Sequence, residues 1–135
     1  MSIAIQRDSD IVSFNAYNAV QIQRDDNQWY WAEYSTFSIS DEVGKYRLTV
    51  SGYSGDAGDA LAAAQQADWN ANGMMFSTQD SDNDGWAGGN CAGHGSGWWF
   101  YKCSTSTLNA NGNAAWTTGD PVTDVQTSRM LVKFH

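Results

Sequence analysis

Asn72-Gly73-Met74-Met75-Phe76-Ser77-Thr78-Gln79-Asp80-Ser81-Asp82-Asn83-Asp84-Gly85 opens the stretch that decides the fold, and Asn90-Cys91-Ala92 and Gly97-Trp98-Trp99-Phe100-Tyr101-Lys102-Cys103 close it. Residues 69–121 hold most of the glycines and asparagines of the chain and show little periodicity. Such a stretch is not held by a regular hydrogen-bond ladder and needs other constraints: a covalent bridge, a bound ion or many aromatic contacts. The quoted residues offer all three.

Asp80, Asp82 and Asp84 place a carboxylate at every second position. That spacing wraps a hard cation, and Ca²⁺ takes six to eight oxygens. The first half of an EF-hand loop is present, but Cys91 stands at the twelfth position, where a bidentate Glu is required. Neither flank reads as a helix. The reading is therefore a calcium loop of another kind, its shell completed by main-chain carbonyls; a solvated acidic turn is the plain alternative. The residues by themselves do not choose among the three aspartates. Mg²⁺ fits less well because it demands a stricter octahedron.

Cys91 and Cys103 are the two cysteines of the chain. One pair permits one bridge, and closing a loop of about 13 residues contributes roughly 3 kcal/mol in the chain-entropy model. A bridge predicts an oxidising, extracellular location. No Asn-x-Ser/Thr acceptor occurs. The opening residues, Met1-Ser2-Ile3-Ala4-Ile5-Gln6, lack the basic start and apolar run of a signal peptide.

Outside this stretch the chain reads as strands. Val20-Gln21-Ile22-Gln23 alternates, Arg24-Asp25-Asp26-Asn27 signals a turn, and Gln28–Tyr34 is aromatic, which predicts a hairpin over 19–34. Tyr46–Ser51 alternates and predicts a strand ending at Gly52. Asp59 is placed to cap a short helix over Ala60–Ala67. Met130–Phe134 reads as a final strand. Trp29 and Trp31 share one strand face and are expected in the core, as are Trp98 and Trp99; Phe100 and Tyr101 are left open.

The chain has 135 residues and a formal charge of −8. The length fits one domain, 1–135. The acidic balance provides no basic stripe for tracking phosphates, which argues against nucleic acid and against an anionic membrane surface. No apolar run is long enough to span a bilayer as a helix.

The residues quoted first resemble the "NGxxFST-DxDND", "NCA" and "GWWyxxC…LN" blocks of the fibrinogen-related domain family, the last running on to Leu108-Asn109. Upstream, Ala32–Phe37 and Tyr46–Leu61 are similar to its "AxYxxF…YxLxVxGYxGxAGDxL" block. The likeness covers about residues 29–135, in a shortened form. It implies an α+β fold: a small antiparallel sheet with a short helix, topped by a loop-rich subdomain stabilised by calcium and a disulfide. Carried over residue by residue, the calcium ligands fall on the Asp82 and Asp84 side chains and the Trp86 and Gly88 carbonyls, with Asp80 behind them; Gly89 reads as an insertion that shifts the carbonyls by up to one residue.

Ficolin- and tachylectin-type members of the family bind N-acetylated sugars. The resemblance implies a calcium-dependent, secreted, homo-oligomeric lectin of innate immunity for N-acetylglucosamine or N-acetylgalactosamine, with the polar alternating strands near the N-terminus as the oligomer interface. The Lys102-Cys103 peptide would offer N–H groups to the acetyl carbonyl, and this peptide is often cis in the family. The chain departs from the pattern around this pocket. Ser104 stands where the family has His, and the "LNG-x-Y" block reads Leu108-Asn109-Ala110-Asn111-Gly112. His94, Tyr101 and Trp116 are the candidate replacements for the pocket walls, with Lys102, Cys103 and Ser104 as its floor. The alternative is a protein–protein module binding peptide ends in the same pocket. An enzyme is not expected, because the sequence shows no nucleophile-plus-base arrangement and the clustered aspartates are committed to a cation.

Overall fold

A computed structural model describes residues 4–6, 18–64, 67–110, 112, 114–117 and 124–132. Its frame is a seven-stranded sheet formed by β1 (Ala4–Gln6), β2 (Ala19–Arg24), β3 (Trp29–Ile39), β4 (Leu48–Gly55), β5 (Ser106–Thr107), β6 (Ala114–Trp116) and β7 (Asp124–Leu131). The order across the sheet is β4-β3-β2-β7-β6-β5, and β1 also pairs with β7.

The hairpin expected over 19–34 is present as β2 and β3, with Val20 opposite Ala32 and Ile22 opposite Tyr30. Asn27 makes the turn at φ 62°, in the left-handed region that Asn tolerates well. The Asp26 carboxylate accepts the Gln28 N–H at 2.8 Å and the Tyr30 hydroxyl at 2.7 Å, which ties the turn to the strand that follows.

The sheet is mixed, not wholly antiparallel as expected. β1 runs parallel to β7, with Ile5 opposite Met130. Antiparallel neighbours are commonly imposed by a tight hairpin. β1 and β7 lie at opposite ends of the sequence with no turn between them, so nothing local sets their direction.

The strand expected over Tyr46–Ser51 is displaced to Leu48–Gly55. Lys45 and Tyr46 have φ of 56° and 52° and belong to the preceding turn, which the Asp41 carboxylate braces by accepting the Gly44 N–H at 2.9 Å. Gly52 does not end the strand. It lies within it at φ 69°, directly against Ser35 Oγ, where a Cβ has no room. The final strand likewise lies earlier than expected, and residues 133–134 of the predicted Met130–Phe134 are outside the described residues.

Of the helix expected over Ala60–Ala67, residues 60–64 form one turn, and residues 65–66 lie outside the described residues. Asp59 does cap it, its Oδ1 accepting the Ala62 N–H at 3.0 Å. The carbonyls that would extend the helix are taken from elsewhere. Ser106 Oγ donates to the Ala60 carbonyl at 3.0 Å, and the Ala71 and Asn72 N–H groups both donate to the Leu61 carbonyl. The Ala64 N–H donates to Asn70 Oδ1 at 2.7 Å. Among the described residues the helical content is a single 3-10 turn, Ala67–Trp69, beside the seven strands.

One face of the sheet covers the core. Val20, Ile22, Ala32, Tyr34, Leu48, Val50 and Met130 pack there against Leu61, Trp98, Trp99, Phe100, Leu108 and Trp116. Trp98 and Trp99 are buried as expected, their rings edge-to-face at 5.2 Å, and Phe76 meets Trp99 at 5.2 Å. Burying rings of this size contributes about 2–3 kcal/mol each. Trp29 and Trp31 are not in the core. Alternation along β3 gives the inner face to Ala32 and Tyr34, and the two indoles stand outside, 41% and 39% exposed.

Candidate functional site

Residues 69–105 form a crown above the buried face, in which regular pairing is limited to two isolated bridges. One joins Ser77 and Trp98, which exchange N–H···O bonds of 2.9 and 3.1 Å. The buried Ser77 hydroxyl accepts the Asn83 N–H at 2.9 Å, and Asn83 Nδ2 donates to the Phe76 carbonyl at 2.9 Å. Lys45 Nζ donates to Asn83 Oδ1 at 2.7 Å. Asn83 thus seats the acidic loop on the core between Asp82 and Asp84. Sequence reading did not single out Asn83; its signal is the Asn set between the second and third aspartates.

Asp84 is the most constrained carboxylate of the loop. Its Oδ1 accepts the Trp86 N–H and its Oδ2 the Cys91 N–H, both at 2.7 Å. Asp82 Oδ1 accepts the Asp84 N–H at 3.2 Å. Asp80 turns aside and accepts the Thr78 hydroxyl at 2.8 Å, a bond that holds its carboxyl below the usual range. The Trp86 carbonyl accepts a long 3.3 Å bond from the Gly89 N–H, and the Gly88 carbonyl meets no donor among the described residues. Gly88 and Gly89 lie against the Trp86 ring so closely that a Cβ on either would come within 3.0 Å of it.

Among the described residues no three His, Cys, Asp or Glu side chains converge on one point. An ion here would take its ligands from the two carboxylates of Asp82 and Asp84 and from main-chain oxygens. That donor set is oxygen only, which suits Ca²⁺ and not a softer metal. The residues present fit the group, and its role would be to fix the loop rather than to supply chemistry.

The bridge is formed as the sequence predicts. Cys91 and Cys103 are joined, with Cα atoms 5.4 Å apart. The Lys102-Cys103 peptide is cis. The acidic loop also reaches this segment directly, because the Gly85 N–H donates to the Tyr101 carbonyl at 2.8 Å and the Tyr101 ring lies on Gly85 with no space for a side chain. The loop and the bridge segment are one hydrogen-bonded unit.

The expected pocket residues divide. Lys102 does not offer its N–H, which donates to the Asp68 carbonyl at 2.9 Å; its ammonium pairs with the Asp68 carboxylate at 3.1 Å, and that bond raises the Lys102 pKa. The Cys103 N–H meets no acceptor among the described residues and remains the donor of this peptide. Ser104 Oγ turns inward to the Ser106 carbonyl at 2.9 Å. Tyr101 is half-buried and His94 is exposed. Trp116 is corrected: it is fully buried and its Nε1 donates to the Gly58 carbonyl at 3.0 Å, so it belongs to the core and walls no pocket. Asp68, which holds Lys102 from both main chain and side chain, carried no motif to mark it.

A hollow of about 300 Å³ adjoins the acidic loop on another side, lined by Glu42, Lys45, Tyr46, Phe76, Ser81 and Asn83. None of these residues was expected from the sequence to bind a ligand.

A sheet that carries a ladder-poor crown, closed by one cystine and an acidic loop, defines a fibrinogen-like globe. Residues 9–125 match the family described as fibrinogen beta and gamma chains, C-terminal globular domain, and the chain belongs to that family. It is 45% identical to the human fibrinogen gamma chain over 87 residues, 58% of this chain and 19% of that protein. It is 40% identical to the Drosophila melanogaster protein scabrous over 112 residues, 80% of this chain and 13% of that protein. Among solved structures it is similar to a lamprey fibrin D-dimer complexed with the peptide Gly-His-Arg-Pro-amide, with a TM-score of 0.73 at 28% identity, covering 84% of this chain and 43% of that one. The chain therefore spans less than half the length of each of these relatives.

Proposed function

We propose that this chain is an extracellular, non-enzymatic recognition module that binds N-acetylated sugars beside the Cys91–Cys103 bridge, with Ca²⁺ at Asp82 and Asp84 holding the binding segment in place. The observation that carries the reading is the hydrogen-bonded path from Asp84 to Cys91 and from Gly85 to Tyr101, which makes the acidic loop and the bridge segment move together. An acetamide needs a main-chain donor for its carbonyl and an apolar wall for its methyl. The Cys103 N–H is the donor and the Tyr101 ring the wall. The exposed His94 adds a contact for the sugar hydroxyls. A small domain with one weak pocket gains usable avidity by clustering, so the protein acts as a homo-oligomer on acetylated glycan surfaces. The bridge accords with a secreted location.

A second reading has a specific observation behind it. The similar lamprey structure is described as a complex with a peptide, so a peptide end is the competing ligand. The test is competition on the intact protein in calcium. Displacement from an acetylated glycan surface by N-acetylglucosamine or N-acetylgalactosamine, and not by glucose or Gly-His-Arg-Pro-amide, supports the sugar. Tight binding of the peptide with no sugar competition replaces it with the second reading.

A further inference from the structure

The outer face of the sheet carries a hollow of about 320 Å³, lined by Ala19, Gln21, Trp29, Trp31, Glu33 and Arg129. Strand alternation places Trp29, Trp31 and Glu33 side by side on this face of β3. Gln21 is registered with Trp31 on one side and with Arg129 on the other, so the three form one row across β3, β2 and β7. Ala19, opposite Glu33, is small and leaves the hollow its depth.

Two exposed indoles on one strand are costly in water, yet the structure braces them in the open. The strand backbone beneath the Trp31 indole is fixed: the Trp31 main-chain N–H donates to Asp56 Oδ1 at 2.8 Å, and the Trp31 main-chain carbonyl accepts the N–H groups of Asp56 and Ala57 at 3.0 and 2.9 Å. Its ring lies over Gly55, where a Cβ would come within 3.1 Å of Cε3 and collide with the Trp31 carbonyl. The Arg129 guanidinium sits 4.6 Å from the centre of the Trp29 ring. These are preformed flat surfaces, and ordering them on binding costs little.

We propose that this hollow is a second ligand site, a platform for a neutral oligosaccharide that works without the acidic loop. A pyranose has an apolar face of C–H groups and a rim of hydroxyls. The indoles accept the C–H faces; Glu33 accepts hydroxyl hydrogens, Arg129 donates, and Gln21 does both. Alternate residues of a strand stand about 6.7 Å apart, which lets two neighbouring sugar units meet one ring each. One carboxylate and one guanidinium balance each other in the hollow, while the chain as a whole carries −8, so the complementary ligand is neutral rather than acidic. No residue of the crown takes part, so this site stands or falls apart from the calcium-dependent one.

The test is calorimetric titration of the full chain with cellotetraose, laminaritetraose and mannotetraose, each in calcium and again in excess chelator. The expected result is binding of at least one of the three, equal in both conditions. Trp29→Ala and Trp31→Ala each weaken it about tenfold, the value of one ring contact. Trp31→Tyr, which keeps a ring, retains affinity within a few-fold, and circular dichroism of each variant matches the parent. No heat with any of the three at millimolar sugar overturns the proposal, as does binding indifferent to both tryptophans. Light scattering that shows a dimer lost in Trp31→Ala assigns the hollow to a second copy of the chain and also overturns it.

Discussion

Asp84 and Cys91 are joined by a 2.7 Å hydrogen bond from the Cys91 N–H to Asp84 Oδ2, which fastens the acidic loop to the first half-cystine. The other oxygen of Asp84 holds the Trp86 N–H at the same distance. One side chain therefore shapes the loop and anchors it to the bridge. A charged acceptor holding two main-chain donors contributes about 1.5–3 kcal/mol per bond. Asp84→Ala is expected to lower stability by about 3 kcal/mol, since the loop's exposure lets water replace part of what is lost. Asp80→Ala, which removes only a surface hydrogen bond from the Thr78 hydroxyl, is expected to leave stability essentially unchanged. Urea unfolding of the two variants checks the contrast, and equal effects contradict it.

Gly85 and Tyr101 give a steric version of the same coupling. The Tyr101 ring occupies the place of a Gly85 side chain, and the Gly85 N–H holds the Tyr101 carbonyl. Gly85→Ala forces the ring aside and is expected to cost about 1–3 kcal/mol, the usual range for an overpacked site. Amide chemical shifts should move at Lys102 and Cys103 as well as in the loop. Shifts confined to residues next to 85 contradict the coupling.

Tyr34 links pH to stability. Burial, and then its 2.8 Å bond to Asp59, pushes the phenol far above its ordinary value near 10. The folded state keeps the proton where the unfolded chain releases it. The contribution is therefore complete below about pH 10 and is lost as pH rises above that value. Tyr34→Phe is expected to be about 1 kcal/mol less stable at neutral pH and to lose stability less steeply above about pH 10. Denaturant midpoints across that window check it, and parallel curves for the two proteins contradict it.

Much of this architecture was legible in the residues. The β2–β3 hairpin followed from alternation around a turn-forming Asn27, and the cystine from one close pair in a glycine-rich loop. The buried Trp98 and Trp99 followed from reading that aromatic run as filling the core beneath the acidic loop rather than as an exposed sugar platform. The misreadings share a cause, which is that competing tertiary partners decided the outcome. The alanines after Asp59 favour a helix, but Ser106, Ala71 and Asn72 take the carbonyls that would continue it. Trp29 and Trp31 resemble core residues by composition, yet strand register gave the inner face to Ala32 and Tyr34. Trp116 was placed near the site by its position along the chain, and its indole N–H is instead spent on Gly58. Asp68 and Asn83 accept hydrogen bonds from the distant Lys102 and Lys45, which no local pattern announces.

The most direct measurement is titration of N-acetylglucosamine into the intact protein, first with calcium and then after chelation. The account predicts binding in calcium that weakens at least about tenfold when the ion is withdrawn, a loss of about 1.4 kcal/mol. Equal affinity in the two conditions contradicts it, because the acidic loop would then have no hold on the segment that binds.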